Sequence, residues 1–306
     1  MALYLVIQVG ALLSRILPRS WRYLIGTAVG DIVYRVWPTK RRILKGNMAT
    51  VLGLPLQHPD VGRTSLKAMR NYCKYLIEFL ELAGGSTPQA AVRSLQNARG
   101  LEHLQRAVRQ GKGVIVATAH FGTIEVGGPA LATLTPLHAV HDRFQPDFLD
   151  RLIRGRRLQM GINPIAVGNV RQMLRVLHQG EALALLFDRP VDAGKGVTVR
   201  FFGYETALPA GPAVLAMKTG AALLPIYQFR RPDRSIESVI FPPIRWTPSG
   251  ERTRDVQIVM QKLVDTYQAM IRDRPDQWYM FRPMWPTNAT PRRAPAMERI
   301  SGGPAA

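Results

Sequence analysis

Three times along this chain a helical stretch stops at a glycine and a short apolar run follows within a residue or two. Residues 101–111 (LEHLQRAVRQG) lead into 113–119 (GVIVATA), 168–180 (GNVRQMLRVLHQG) into 182–188 (ALALLFD), and 211–220 (GPAVLAMKTG) into 221–229 (AALLPIYQF). Apolar runs of this length without polar alternation are the pattern of strands buried on both faces. Helices that alternate with such strands predict an α/β domain, a layered mixed or mostly parallel sheet flanked by helices. The remaining pattern agrees: strands are expected at 137–143 and 235–244, and helices at 61–82, 123–134, 146–161 and 252–272. In 61–82 the stripe Leu66, Met69, Cys73, Leu76, Ile77, Leu80 has helical spacing, and Gly84-Gly85 ends it. Cys73 is the only cysteine, which excludes an intrachain disulfide and a cysteine-based metal centre, and its place in the stripe makes it a small buried apolar residue.

The chain begins differently. Residues 1–21 (MALYLVIQVGALLSRILPRSW) are apolar and uncharged as far as Arg15, shorter than a membrane span needs, and no basic region precedes them as in a secretory signal. The apolar pattern continues through 22–38, broken by Arg22, Asp31 and Arg35, with Trp21, Tyr23, Tyr34 and Trp37 placed as headgroup-level aromatics. An in-plane or shallowly inserted pair of helices is the expectation for this part. The chain thus divides into a membrane-associating helical segment at 1–38, a main domain at 39–290 and a disordered tail at 291–306, rich in Pro, Gly and Arg.

Lys and Arg number 41 against 21 Asp and Glu, a formal charge of +20. Such a surface attracts an anionic partner: nucleic acid, anionic lipid headgroups or an acidic carrier protein. No zinc-finger spacing, RNA-recognition aromatic motif or helix-turn-helix accompanies the charge, so a nucleic-acid partner is not expected.

If the chemistry of such a sheet lies beyond its strand ends, then the run at 113–119 delivers His120 and the run at 182–188 delivers Asp188 and Arg189. Glu125 follows His120 by five residues. On one helix that spacing would leave them about 140° apart, unable to cooperate. With His120 on the turn after the strand, and Gly122 supplying a permissive backbone, Glu125 can reach back to the imidazole. The pair then reads as a general base with a carboxylate that holds its tautomer. By itself the spacing also fits a turn histidine satisfied by backbone groups and a carboxylate favoured at a helix N-terminus. No nucleophile-elbow Ser or Cys is present, so a base here would activate a hydroxyl of the substrate. The other five histidines (His58, His103, His138, His141, His178) have no carboxylate at a telling spacing and no expected role.

The segment 111–128 (GKGVIVATAHFGTIEVGG) resembles the signature of the lipid A biosynthesis lauroyl/myristoyl acyltransferases, within the lysophospholipid acyltransferase-like superfamily, whose relatives include the phosphatidylinositol mannoside acyltransferases. Four further segments are similar in the same order. They are 41–53, an Arg-rich run ending in an Asn-centred helix start; 143–161, led by Arg143; 185–227, with its Asp-bearing strand end, Phe-Phe-Gly turn and Pro-x-Gly-Pro helix start; and 275–285, with a Gln-Trp motif. The likeness runs from about residue 10 to 286. It implies an acyltransferase that moves a fatty acyl chain from an acyl thioester, carried by acyl carrier protein or coenzyme A, to a hydroxyl of a membrane glycolipid, at the cytoplasmic face of the inner membrane. It needs no metal and no cofactor beyond that co-substrate. The family's catalytic histidine falls on His120 and its acidic partner on Glu125, while Arg143 and Asp188 fall on further motif positions. Arg143 is then an anion or oxyanion donor, Asp188 orients Arg143, another arginine or the acceptor, Arg157 and Arg189 are further substrate-binding cations, and Gly203, Pro209, Gly211 and Pro212 shape the cleft wall. Asp188-Arg189 is the pairing of the mycobacterial branch, whereas Glu125 is that of the lipid A branch, so lipid A precursor-like and phosphatidylinositol mannoside-like acceptors both stay open. A glycerophospholipid acyltransferase would share the histidine–carboxylate logic, but its Gly-rich acceptor motif is not found.

Overall fold

The computed structural model describes residues 17–82, 98–125, 127–192 and 194–285. The apolar start of the chain at 1–16, the Gly84-Gly85 stop and the tail from 291 lie outside the described residues. Among the described residues three helices come first: α1 (Arg19–Val36), α2 (Pro38–Leu52) and α3 (Pro59–Leu82). The alternating part follows as α4 (Leu101–Arg109), β1 (Val114–Thr118), α5 (Gly127–Ala132), β2 (Leu137–His141), α6 (Asp147–Gln159), β3 (Ile162–Ala166), α7 (Val170–His178) and β4 (Ala182–Leu186). The chain then forms β5 (Val197–Phe201), β6 (Tyr204–Leu208), α8 (Gly211–Thr219), β7 (Ala222–Arg230), β8 (Ile236–Ile240) and α9 (Arg252–Asp273).

Among the described residues one six-stranded sheet runs β3-β2-β4-β1-β7-β8. Every neighbouring pair is parallel except β7 and β8, so the expected α/β class with a mostly parallel sheet is what the chain forms. The unbroken apolar runs mark the three central strands because both of their faces are covered. Ile115 and Ala117 point into a core shared with α8 and α9, while Val114 and Val116 point into a second core under α4 and α5.

Two elements depart from the sequence pattern. β3 carries Pro164, which reads as a strand breaker, yet it lies on the sheet edge and pairs only with β2, where the missing N–H costs nothing. β5 and β6 form a separate antiparallel hairpin. Its two-residue turn, Phe202-Gly203, has positive φ at both positions (51° and 83°), the geometry of a type I′ hairpin. Gly203 therefore turns a hairpin rather than shaping the cleft.

The N-terminal helices are bound to the domain by part-buried and buried polar contacts. Arg70 of α3 makes a two-pronged ion pair with Asp31 of α1 (2.6 and 2.9 Å). Tyr23 donates to Glu78, which also receives Arg230 from the end of β7 at 2.8 and 2.6 Å. Tyr23 is therefore 5% exposed and is not the headgroup-level aromatic expected, whereas Trp21 and Trp37 are exposed at the surface. In α3, Met69 and Cys73 are buried as the stripe predicts, but Leu76 is 41% exposed. Burial pushes the Cys73 thiol up to about 11, which leaves it unreactive near neutrality.

Asn47 lies inside α2 and does not start a helix. It is buried because its amide donates to the carbonyls of Met280 and Arg282 (both 2.9 Å) and accepts from the Met284 amide (3.1 Å). Asn47→Ala would leave these three backbone groups without their partner, at an expected cost of about 2–4 kcal/mol. The check is a lowered denaturant midpoint with an unchanged m-value.

Candidate active site

The active-site geometry begins with strand register. β1 and β4 are adjacent and parallel, with Thr118 opposite Leu186. His120 and Asp188 each stand two residues past those partners, so the sheet delivers them side by side. The contact is close: His120 Nδ1 lies 2.7 Å from one Asp188 oxygen, and the His120 backbone amide donates to the other at 2.8 Å. Tyr267 of α9 donates its hydroxyl to that second oxygen at 2.6 Å. Asp188 is wholly buried. Burial alone would raise its carboxyl, but the charge and hydrogen bonds of His120, with the Tyr267 hydroxyl, outweigh it and hold the group below the usual carboxylate range. Its contribution to stability is thus present above the ordinary carboxylate value and lost as pH falls through the lower native one.

The turn that carries His120 is held by two distant segments, β7 and the Gln-Trp segment. Gly122 has φ 64°, and a Cβ there would sit 1.8 Å from the Gln228 carbonyl oxygen, so no side chain fits. The Gln-Trp segment supports the turn from the other side. Gly122 donates to the Gln277 carbonyl (2.8 Å), and Tyr279 donates to that of His120 (2.9 Å). The Gln277 side chain pairs with the Arg230 backbone in both directions (2.9 and 2.7 Å), extending the edge of β7 as a peptide group would. These bridges hold residues 121–122 out of helical geometry, which is why α5 begins only at Gly127 instead of 123.

Glu125 does not meet His120. It is buried against Arg157 of α6, whose Nη2 donates to it at 2.7 Å. The expectation that Glu125 holds the His120 tautomer is therefore corrected: Asp188 occupies Nδ1, and Glu125 serves Arg157. Burial works against the charge of Arg157, but the Glu125 carboxylate beside it holds the guanidinium charged. The second neighbour of Arg157 is His141, whose ring Nδ1 lies 3.2 Å from Nη1.

Five of the six sequence-predicted residues, His120, Glu125, Arg143, Arg157 and Arg189, line one cleft of ≈800 Å³, and Asp188 sits beneath His120. Pro209, Gly211 and Pro212 also line it. Arg143 is on the rim, 71% exposed and paired with Asp147 at 2.9 Å. Asp188 does not orient it, because both Asp188 oxygens are taken by His120 and Tyr267. Arg189 is also at the rim, 3.5 Å from Asp142. Past Glu125 and Arg157 an apolar cavity continues between Leu131, Leu137, Ile162 and Ile226.

Sequence reading missed Tyr267, which lies in an apolar helical stripe where nothing distinguishes it from a core tyrosine. It also missed His141, whose carboxylate, Asp150, is nine residues away across a loop and a helix start.

A sequence profile of bacterial lipid A biosynthesis acyltransferases matches residues 1–287. The phosphatidylinositol mannoside acyltransferase of Mycolicibacterium smegmatis is 30% identical over 249 residues, 79% of this chain and 78% of the relative. The lipid A biosynthesis palmitoleoyltransferase of Escherichia coli K12 is 27% identical over 180 residues, 58% of each chain. The lauroyltransferase of the same organism is 23% identical over 267 residues, 86% of this chain and 83% of the relative.

Proposed function

The chain belongs to the bacterial lipid A biosynthesis acyltransferase family, and from that premise we propose that it moves a fatty acyl chain from an acyl thioester to a hydroxyl of a glycolipid, with His120 as the general base. The observation that carries this reading is the His120–Asp188 pair at the floor of the cleft. With Nδ1–H donated to Asp188, Nε2 is the ring nitrogen left to accept a proton from the acceptor hydroxyl. The hydroxyl oxygen then attacks the thioester carbonyl, and the carbonyl oxygen becomes an oxyanion. Arg157, the buried cation of the cleft, is the donor that faces this charge. Collapse of the intermediate breaks the carbon–sulfur bond and forms the ester. The imidazolium returns its proton to the departing thiolate. A covalent acyl-enzyme is not required, and the buried Cys73 thiol is unsuited to form one. The apolar walls of the ≈800 Å³ cleft, among them Leu76, Phe79, Val170, Met173 and Val214, support the placement of the acyl chain there. Rim cations Arg143 and Arg189 suit a phosphate on the thiol carrier or the acceptor.

A membrane setting is supported by α1. Its residues Trp21, Leu24, Ile25, Val29, Ile32 and Val36 form one exposed apolar stripe, and Arg41, Arg42 and Lys45 follow on α2. No helix of the described residues is long and apolar enough to cross a membrane, and the stripe fits one lying in the plane of an anionic bilayer at the cytoplasmic face. Leu24→Glu with Ile32→Glu is expected to lower partition to anionic vesicles at least about tenfold, since each apolar side chain contributes roughly 1.5–3 kcal/mol when buried. Flotation measures it, and unchanged flotation would remove α1 from the membrane contact.

The test of the function is mass spectrometry of lipids from cells that express the chain, followed by transfer assays with acyl carrier protein and coenzyme A thioesters. A new acylated glycolipid identifies acceptor and chain. A product on a glycerophospholipid, or none with either donor, overturns the reading.

A further inference from the structure

Four ionisable side chains outside the His120–Asp188 pair form a line into the cleft. Asp150 of α6 meets His141 Nε2 at 2.7 Å, His141 Nδ1 meets Arg157 Nη1 at 3.2 Å, and Arg157 Nη2 meets Glu125 at 2.7 Å. His141 ends β2 and is 7% exposed. Arg154 reaches the same carboxylate of Asp150 at 4.0 Å, and the Phe144 amide donates to Asp150 at 3.0 Å.

The tautomer of His141 follows from the chemistry of its neighbours. A guanidinium has donors only, so the nitrogen that faces Arg157 must offer its lone pair. Nδ1 is therefore unprotonated and Nε2 carries the hydrogen, which it donates to Asp150. Either other form of the ring would set an N–H against an N–H of Arg157. Asp150 and Arg157 lie seven residues apart on α6, two turns along one face, so one imidazole can touch both. Asp150 acts on Arg157 only through the ring.

We infer that His141 is a positioning residue for acyl transfer: with its tautomer set by Asp150, it supplies the second anchor that fixes Arg157 at the reacting carbonyl. Glu125 alone leaves the guanidinium free to rotate about one hydrogen-bonded edge, whereas two acceptors fix its plane. This rests on the reading of Arg157 as the donor to the oxyanion.

Two near-isosteric variants separate the ring's two contacts. His141→Asn places an oxygen where Nδ1 was, which keeps the acceptor for Arg157 and loses the donor to Asp150. His141→Gln places its amide where Nε2 was, which keeps the contact to Asp150 and loses the acceptor. The expected result is a kcat lowered about 10- to 100-fold in His141→Gln with little change in KM, the effect of one lost charge-assisted hydrogen bond. His141→Asn recovers most of that loss. A purely structural histidine would give the opposite or no difference, with rate tracking thermal stability, and that outcome overturns the inference. Because a variant can unfold, the tautomer is also read in the unaltered protein from the ¹⁵N shifts of His141. A hydrogen on Nδ1 at neutral pH overturns the inference as well. Arg157→Ala distinguishes the two levels. If it leaves kcat unchanged, the role of Arg157 fails; if it abolishes turnover while both His141 variants match the parent, only the inference about His141 fails.

Discussion

His120→Ala is expected to remove measurable acyl transfer while the protein stays folded. A positioned general base contributes about 10²–10⁴ in rate, and His120 is the imidazole paired with a buried carboxylate at the floor of the cleft. The substitution leaves one oxygen of the buried Asp188 carboxylate without its partner, so a lowered melting temperature is expected, but the fold is kept. The His120 side chain is 21% exposed, and the turn around it is held by backbone bonds to Gln277 and Tyr279 that alanine keeps. The measurement pairs thioester turnover with a thermal melt. Turnover within a few-fold of the parent would end the case for His120 as the base.

Asp188→Asn is the second large effect, and it separates Asp188 from Glu125. The Asp188 oxygen that accepts from Tyr267 and the His120 amide can be served only by the asparagine carbonyl oxygen. The NH₂ group must then face His120 Nδ1, where it donates, so the ring hydrogen moves to Nε2. That tautomer cannot accept the proton of an acceptor hydroxyl. A loss of roughly 10³–10⁴ in kcat is expected with the fold intact. Glu125→Gln keeps a hydrogen bond to Arg157 and leaves the His120 ring untouched, so its expected loss is about tenfold. Equal losses in the two variants, or a greater loss in Glu125→Gln, would return Glu125 to the role of tautomer holder.

Much of this site was legible residue by residue. His120, Glu125, Arg143, Arg157, Asp188 and Arg189 were each marked by motif position, and the structure brings all six to one cleft or its floor. Their partnerships were not legible. Glu125 looked like the partner of His120 because it is five residues away, yet residues 121–122 are drawn into bridges with Trp278 and Gln228, and the carboxylate turns to Arg157. Asn47 was visible as a motif residue, but its role as a clamp on residues 280–284 depends on a contact more than 230 residues distant.

The sequence by itself determined the layered α/β class, the central strands and the chemistry available at their ends, because these depend on local periodicity and on which residues follow an apolar run. Tertiary structure alone decided which of those residues meet. β1 and β4 are separated by two other strands in the chain and become neighbours only in the sheet, with a register that sets His120 beside Asp188. Strand order and register are fixed by the packing of both sheet faces, a property of the whole core that no spacing within one segment carries.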